Sequence, residues 1–223
     1  MEKIISSDIL DLMPNDCGFI YAEENEDEEG KQRVAFFAYD QDKNEIYPIT
    51  IKAYLNAKLG EKFKDVAAEL GDFLNCDTAI MPDGSVIALY DTGEMHVFNP
   101  LGASVWQGNI TYQDEPVRAL AVDGKCVWCA VPDRNAIVCY SPSEGRVLLR
   151  IGGGSTSAFS YPVSVSLFDG TLYVCNKNTN KIRTIHLEDY SVKDYMVFKE
   201  PVLGYFKTRG VEYVKLDSGV YRL

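Results

Sequence analysis

Short apolar runs, alternating residue by residue and cut by polar turns, set the pattern of this chain. Its clearest stretch is Tyr161–Leu187, YPVSVSLFDGTLYVCNKNTNKIRTIHL. Its β-branched and aromatic residues predict strands over Val163–Leu167, Thr171–Cys175 and Lys181–Ile185. Asp169-Gly170 predicts a two-residue hairpin turn, and Asn176–Asn180 a polar turn between the second and third strands. One stretch breaks the alternation. In Ile51–Leu70, apolar Leu55, Leu59, Phe63, Val66 and Leu70 recur every three or four residues, the spacing of one helical stripe. The prediction is a helix over 51–70, with Gly71 as its stop.

The strand pattern repeats. Gly170 in FDGTLYVCN has counterparts in PDGSVIALY (Gly84), VDGKCVWCA (Gly124) and TRGVEYVKL (Gly210), at intervals of 40, 46 and 40 residues. A Pro-Val dipeptide precedes the glycine in three copies: Pro116-Val117, Pro162-Val163 and Pro201-Val202. After each glycine come a strand, a polar turn and another strand, and complete copies add a fourth strand. Four strands in about 40 residues is the period of a β-propeller blade. The first copy, marked by Gly18, is less regular. Gly18 lies 66 residues before Gly84, and the helical stretch fills the excess.

YVCNKNTNKIRTI resembles the NHL/YVTN-type propeller repeats, in which an Asn- or Asp-rich turn precedes an Ile/Val-Arg strand. The resemblance spans roughly residues 75–223 and implies fold, not activity. The expected architecture is all-β: one five-bladed β-propeller domain over 1–223 with one inserted helix. The blades fall at about 8–50, 75–110, 114–152, 160–198 and 200–223, with 51–71 as the insertion. Too few residues follow Gly210 to complete a blade. The strand KIISS (3–7) is therefore expected to serve as the last blade's outer strand, a 3+1 seal that leaves no open edge.

Hydrophobic residues make up 46% of the 223, ample for such a core, and the net charge of −11 disfavours nucleic acid and anionic membrane surfaces, which would repel it. It suits a protein partner or a small neutral or cationic ligand. The N-terminal residues show no apolar run of signal or membrane-span length, so a soluble, cytoplasmic protein is expected. The six cysteines sit mostly within apolar strands, as reduced core thiols do.

Candidate chemistry is sparse. Cys126-x-x-Cys129 lies on a strand, where residues three apart face opposite ways and cannot share a metal. Counted from the glycine, Cys129 holds the same repeat position as Cys175, between stacked blades. His96 and His186 have no nucleophile nearby. Gly152-Gly153-Gly154 lacks the lysine and helix of a phosphate loop and reads as a link between blades. No cofactor motif or catalytic constellation emerges, and no metal set.

The remaining signal is topological. In a propeller, the turns between second and third strands and the links between blades emerge on one face. That face is expected to gather the acidic run Glu23–Glu29 with Asp91, Tyr112, Asp114, Glu115, Asp133, Tyr161, Asn176, Asn178, Glu200 and Asp217. Aromatics and acids together suit a binding surface. The expected function is therefore non-catalytic binding of a protein or ligand at an acidic, aromatic channel mouth. The helix 51–70 is a second candidate docking element if Leu59 and Phe63 are exposed. The alternative is a hydrolase, lactonase-like with a metal or glycosidase-like with paired acids, drawing on Asp77, Asp83, Asp114 or Asp169.

Overall fold

Asp169 and Gly170 both hold positive φ (47° and 68°), as a two-residue type I′ turn requires, and the strands on either side pair directly across them. Arg209 and Gly210 repeat this geometry. Antiparallel hairpins, with turns of several lengths, build the blades. The computed structural model describes residues 1–6, 9–26, 31–124, 126–154 and 157–223. The acids at 27–29, Ser7 of the expected sealing strand, and residues 155 and 156 lie outside the described residues.

In chain order, β1 (Glu2–Ile5) is followed by the first blade, β2 (Ile9–Asn15), β3 (Gly18–Glu26), β4 (Gln32–Asp40) and β5 (Glu45–Pro48). Two helices come next, α1 (Ile51–Leu59) and α2 (Phe63–Leu70). The second blade is β6 (Cys76–Ile80), β7 (Val86–Tyr90), β8 (Glu94–Phe98) and β9 (Ser104–Asn109). A small hairpin, β10 (Thr111–Tyr112) and β11 (Glu115–Pro116), links it to the third blade: β12 (Arg118–Asp123), β13 (Cys126–Val131), β14 (Ala136–Ser141) and β15 (Arg146–Gly152). The fourth blade is β16 (Pro162–Phe168), β17 (Thr171–Asn176), β18 (Lys181–His186) and β19 (Val192–Val197). The chain ends in β20 (Val202–Thr208), β21 (Val211–Leu216) and β22 (Gly219–Arg222).

Each blade is a four-stranded antiparallel sheet, and the molecule is a five-bladed β-propeller. In the fifth blade β1 pairs with β22, so the first residues of the chain complete the last sheet. Aromatics fill the joint between the fifth and first blades. Phe19 stacks on Tyr39 at 4.9 Å and meets Tyr213 edge-on at 5.3 Å, and Phe206 stacks on Tyr213 at 5.2 Å.

The insertion differs from the single helix expected. Gly60 takes φ 76° and its N–H caps α1 on Asn56 O, so the helix stops there and restarts after a turn. Thr50 caps the start of α1 through the Ala53 N–H. The pair is wedged into the ring between the first and second blades. One side of the wedge packs Tyr54 on Ile20, Ala22 and Ala38 of the first blade. The other packs Leu59, Phe63, Val66 and Leu70 on Cys76, Val86, Ala88 and Phe98 of the second. Leu59 is fully buried and Phe63 9% exposed, so the apolar stripe weighed as a docking face is spent inside the ring.

A second expectation fails by one residue. In the third blade Asp123 pairs with Cys126, which makes Gly124 the first turn residue, whereas Gly170 is the second. The marker glycines therefore do not align the strands beyond them. A slip of one residue reverses every facing. Cys129 points at the second blade and Cys175 at the fifth, and the true counterpart of Cys175 is Ala130. Cys126 and Cys129 do face opposite sides of their sheet.

Candidate functional site

The five inner strands, β2, β6, β12, β16 and β20, all begin on one face of the ring, here called the upper face. Four of them carry a bulge within their first residues, at Leu10, Ala119, Val163 and Leu203. A bulge breaks the ladder and re-aims a side chain. Each of these four side chains lines the channel or its upper mouth. Two cavities meet there. One of about 730 Å³ opens at the upper mouth, against the helix-to-blade loop and the turn after β7. The other, about 660 Å³, runs along the central channel past all five inner strands. They share Leu10, Asp11, Cys76, Asp77 and Val163 and so adjoin at that level.

Two carboxylates stand where they meet, one on each blade flanking the helical wedge. Asp11 accepts from the Tyr54 hydroxyl and from the Lys58 ammonium, both delivered by α1. Lys58 is only 2% exposed, and this ion pair is its compensation for burial. Burial and the Asp11 charge both push the Tyr54 hydroxyl upward in pKa. Asp77 has no ion-pair partner among the described residues. It lies within the ring but opens onto the channel space, and desolvation raises its pKa above the usual carboxylate value, offset in part by Lys58. Lys215 reaches in from the fifth blade, donating to the Ile9 carbonyl at 3.2 Å, and burial lowers its pKa. The Cys76 thiol, pushed up to about 12 by burial, is not a nucleophile.

The acids of the upper cavity are Asp11, Asp72, Asp77, Asp91 and Glu94, against one cation in its lining, Arg118. Arg118 leans toward Asp133 at 4.0 Å. Glu94 accepts from His96 Nε2 at 2.9 Å and Gln107 Nε2 at 2.8 Å, and the His96 bond holds its carboxyl below the ordinary range.

Most residues expected on the rim do lie in the turns and links of this upper side, but they are not one open surface. Asn176 is fully buried, accepting from the Ser160 N–H and donating to Val174 O. Glu200 caps Ser218 through its N–H and hydroxyl. Glu115 faces Arg134 at 3.4 Å. The Tyr161 N–H donates to Asn135 Oδ1, holding the link at positive φ. Tyr112 packs on the core between the second and third blades. Asp114, Asp133, Asn178 and Asp217 are solvent-facing. Of the ten, only Asp91 lines the mouth cavity. Among the hydrolase carboxyls, Asp83 and Asp169 sit in turns on the opposite, lower side, so they do not converge with Asp77. Among the described residues, no three His, Cys, Asp or Glu side chains are grouped to hold a metal ion.

Sequence reasoning passed over Asp11, Lys58 and Lys215. A signal for the first was present. ILDLMPN and CDTAI are inner strands interrupted by an acid, each seven residues before its marker glycine.

No family model matches the chain, and no curated protein sequence does. Solved structures do. It is similar to virginiamycin B lyase from Staphylococcus aureus, with a TM-score of 0.55 and 13% identity over 100% of this chain and 69% of that one. A streptogramin B lyase structure gives 0.51 and 12%, covering 97% of this chain and 72% of the other. Saccharomyces cerevisiae Sqt1 gives 0.52 and 11%, covering 92% and 68%. At such identities the likeness carries the propeller fold alone. No helix among the described residues is long and apolar enough to cross a membrane.

Proposed function

We propose that this chain is a ligand-binding propeller whose site is the upper channel mouth, and that it takes a small molecule bearing an ammonium, guanidinium or other donor group. One observation carries the reading: five acids line the 730 Å³ cavity against a single arginine, while the nearby Lys58 is committed to Asp11. Asp72, Asp77 and Asp91 are the lining acids with no ion pair among the described residues, and Asp77 and Asp91 are the two on the blades themselves. Leu10, Leu74, Leu89, Ala119 and Val163 supply apolar wall, the mixture common to small-molecule sites. The exposed rim carboxylates Asp114 and Asp217 add negative charge on the same side and favour cations by steering. The test is calorimetric titration with benzylammonium and propylguanidinium beside benzyl alcohol and benzoate. The cations bind and benzoate does not; Asp77→Asn and Asp91→Asn each weaken the cations. Benzoate binding as well as benzylammonium would end the reading.

The raised pKa and unpaired state of Asp77 favour a second reading, a hydrolase with Asp77 as general acid. Turnover of aryl glycosides and aryl lactones by the wild type, lost in Asp77→Asn, would establish it. Equal background in both proteins discards it.

A further inference from the structure

Arg118, the cation in the lining of the mouth cavity, has no hydrogen-bond partner among the described residues. It stands at the start of β12, beside the bulge at Ala119. Ala119 holds φ 51°, a left-handed conformation that a residue with a Cβ adopts only at a cost. Asp133 approaches the Arg118 guanidinium only to 4.0 Å, outside hydrogen-bond range, and the Arg118 side chain is 35% exposed. Its Nε meets no acceptor. Among the described residues, no acid of the mouth cavity lies within ion-pair distance of it. Arg134 shows the contrast: it donates to the Gln113 carbonyl at 2.7 Å and faces Glu115 at 3.4 Å. Arg118 is nevertheless close to Asp77. The Leu120 N–H is among the groups that act on Asp77, and Arg118 lies two residues before Leu120 on the same strand, within about 7 Å along it.

Resting on the mouth reading above, we infer that the ligand is an aminocarboxylate, its ammonium held at Asp77 and Asp91 and its carboxylate on the guanidinium of Arg118. A simple cation would use the acids but bring its charge up to an arginine. A simple anion would use Arg118 but meet the acids. A zwitterion matches both signs in one cavity, and its two charged ends fix its orientation. A guanidinium binds a carboxylate best through paired N–H donors, and Asp133 at 4.0 Å does not occupy them. Leu74, Leu89 and Val163 leave apolar wall for the rest of the molecule.

The experiment is calorimetric titration of the full chain at neutral pH with phenylalanine, β-phenylalanine and phenyl-substituted γ-aminobutyrate, which differ in the span between their charges. Each is run beside the amine that remains when its carboxylate is removed, with hydrocinnamate as the carboxylate alone. At least one aminocarboxylate binds roughly tenfold more tightly than its amine. The sign decides the matter, because a carboxylate with no anchor would be repelled by the mouth acids and the amine would win. Arg118→Met abolishes the preference, and its binding of the amine shows that it is folded. Arg118→Lys, which keeps the charge and loses the paired donors, falls between. The wild-type order needs no variant, so a misfolded Arg118→Met does not spoil the test. If the amines bind and no aminocarboxylate binds more tightly than its own amine, the inference fails while the mouth reading stands. If neither class binds, both fail. Hydrocinnamate binding as tightly as phenylalanine, or a preference that survives Arg118→Met, would also overturn the inference.

Discussion

Replacing Lys58 by methionine removes the ammonium that is ion-paired with Asp11 inside the ring and leaves Lys215 as a weaker neighbour not bonded to it. The Lys58 side chain is 1% exposed and that of Asp11 14%, so bulk water replaces little of what is lost. Removing one partner of a buried ion pair costs about 3–5 kcal/mol, chiefly as the uncompensated charge left behind. Here the Tyr54 hydroxyl still donates to Asp11, and Asp11 has some contact with the channel. The expected loss is therefore near the lower end, about 3 kcal/mol. With a urea m-value of about 2–3 kcal/mol/M, the unfolding midpoint falls by roughly 1–1.5 M. The matched replacement separates the charge from the packing. Asp11→Leu with Lys58→Met and Tyr54→Phe removes the three mutually bonded groups together and leaves Asp77 beside Lys215, so it should sit within about 1.5 kcal/mol of wild type. Urea unfolding followed by tyrosine and tryptophan fluorescence measures all the variants. A Lys58→Met protein within about 0.5 kcal/mol of wild type, or a triple variant weaker than the single one, would refute the argument that this pair is a buried, mutually dependent unit.

Other outcomes follow from the same coordinates. A Cβ on Gly219 would stand 2.0 Å from the Ile5 carbonyl oxygen, at φ 139°. Gly219→Ala should therefore part β1 from β22, cost about 3 kcal/mol or more, and promote self-association through the freed edge, read by light scattering. Desolvation holds the Asp77 pKa above the ordinary aspartate value, so the native state holds its proton more tightly than the unfolded chain. Its contribution is full below the ordinary aspartate range and is lost as pH rises through the raised folded-state value. Asp77→Asn should accordingly be more stable than wild type at pH 7, with the gap closing toward pH 3 in urea titrations; a gap that does not change with pH would contradict this. Lys207 sits 4.6 Å over the Tyr173 ring and bonds its hydroxyl at 3.0 Å, with Glu212 at 3.0 Å. Burial works against its charge, but these bonds outweigh it and raise its pKa. Lys207→Met should loosen the joint between the fourth and fifth blades by roughly 2 kcal/mol, visible as faster amide exchange in β20 before β12.

What was legible in the sequence was whatever repeats. Turn pairs such as Asp169-Gly170 and Arg209-Gly210 encode their own backbone conformation, and apolar alternation between them encodes strands, so blade count could be read locally. Parity could not. The third-blade turn uses Gly124 one position earlier than the fourth uses Gly170, and both glycines adopt positive φ. Residue type does not distinguish the two placements, and the facing of Cys129 was misjudged for that reason. The helical stripe is a similar case. Its period says that Leu59, Phe63, Val66 and Leu70 need an apolar neighbour, and nothing local says which. Topology groups the rim residues by the turns and links that carry them. Their availability depended on partners such as Ser218 for Glu200 and Ser160 for Asn176, contacts across links that no local pattern reports.

The wedge and the site are one problem. A ring of five blades alone would bring β2 against β6 and set Asp11 beside Asp77, two acids in a confined space, where like charges disfavour joint ionisation. The helices part these blades and carry Lys58 into the gap. That lysine bonds Asp11, on the first-blade side, while its backbone carbonyl takes the Thr78 hydroxyl on the second. The compensation is therefore unequal. Asp11 becomes half of an ion pair and Asp77 keeps an unpaired carboxyl facing the channel. An insertion that reads as a helix added between blades thus sets the charge of the mouth, and the ligand preference argued above depends on which of the two acids Lys58 reaches. Moving that ammonium to Asp77 would reverse the roles of the two blades without altering the propeller.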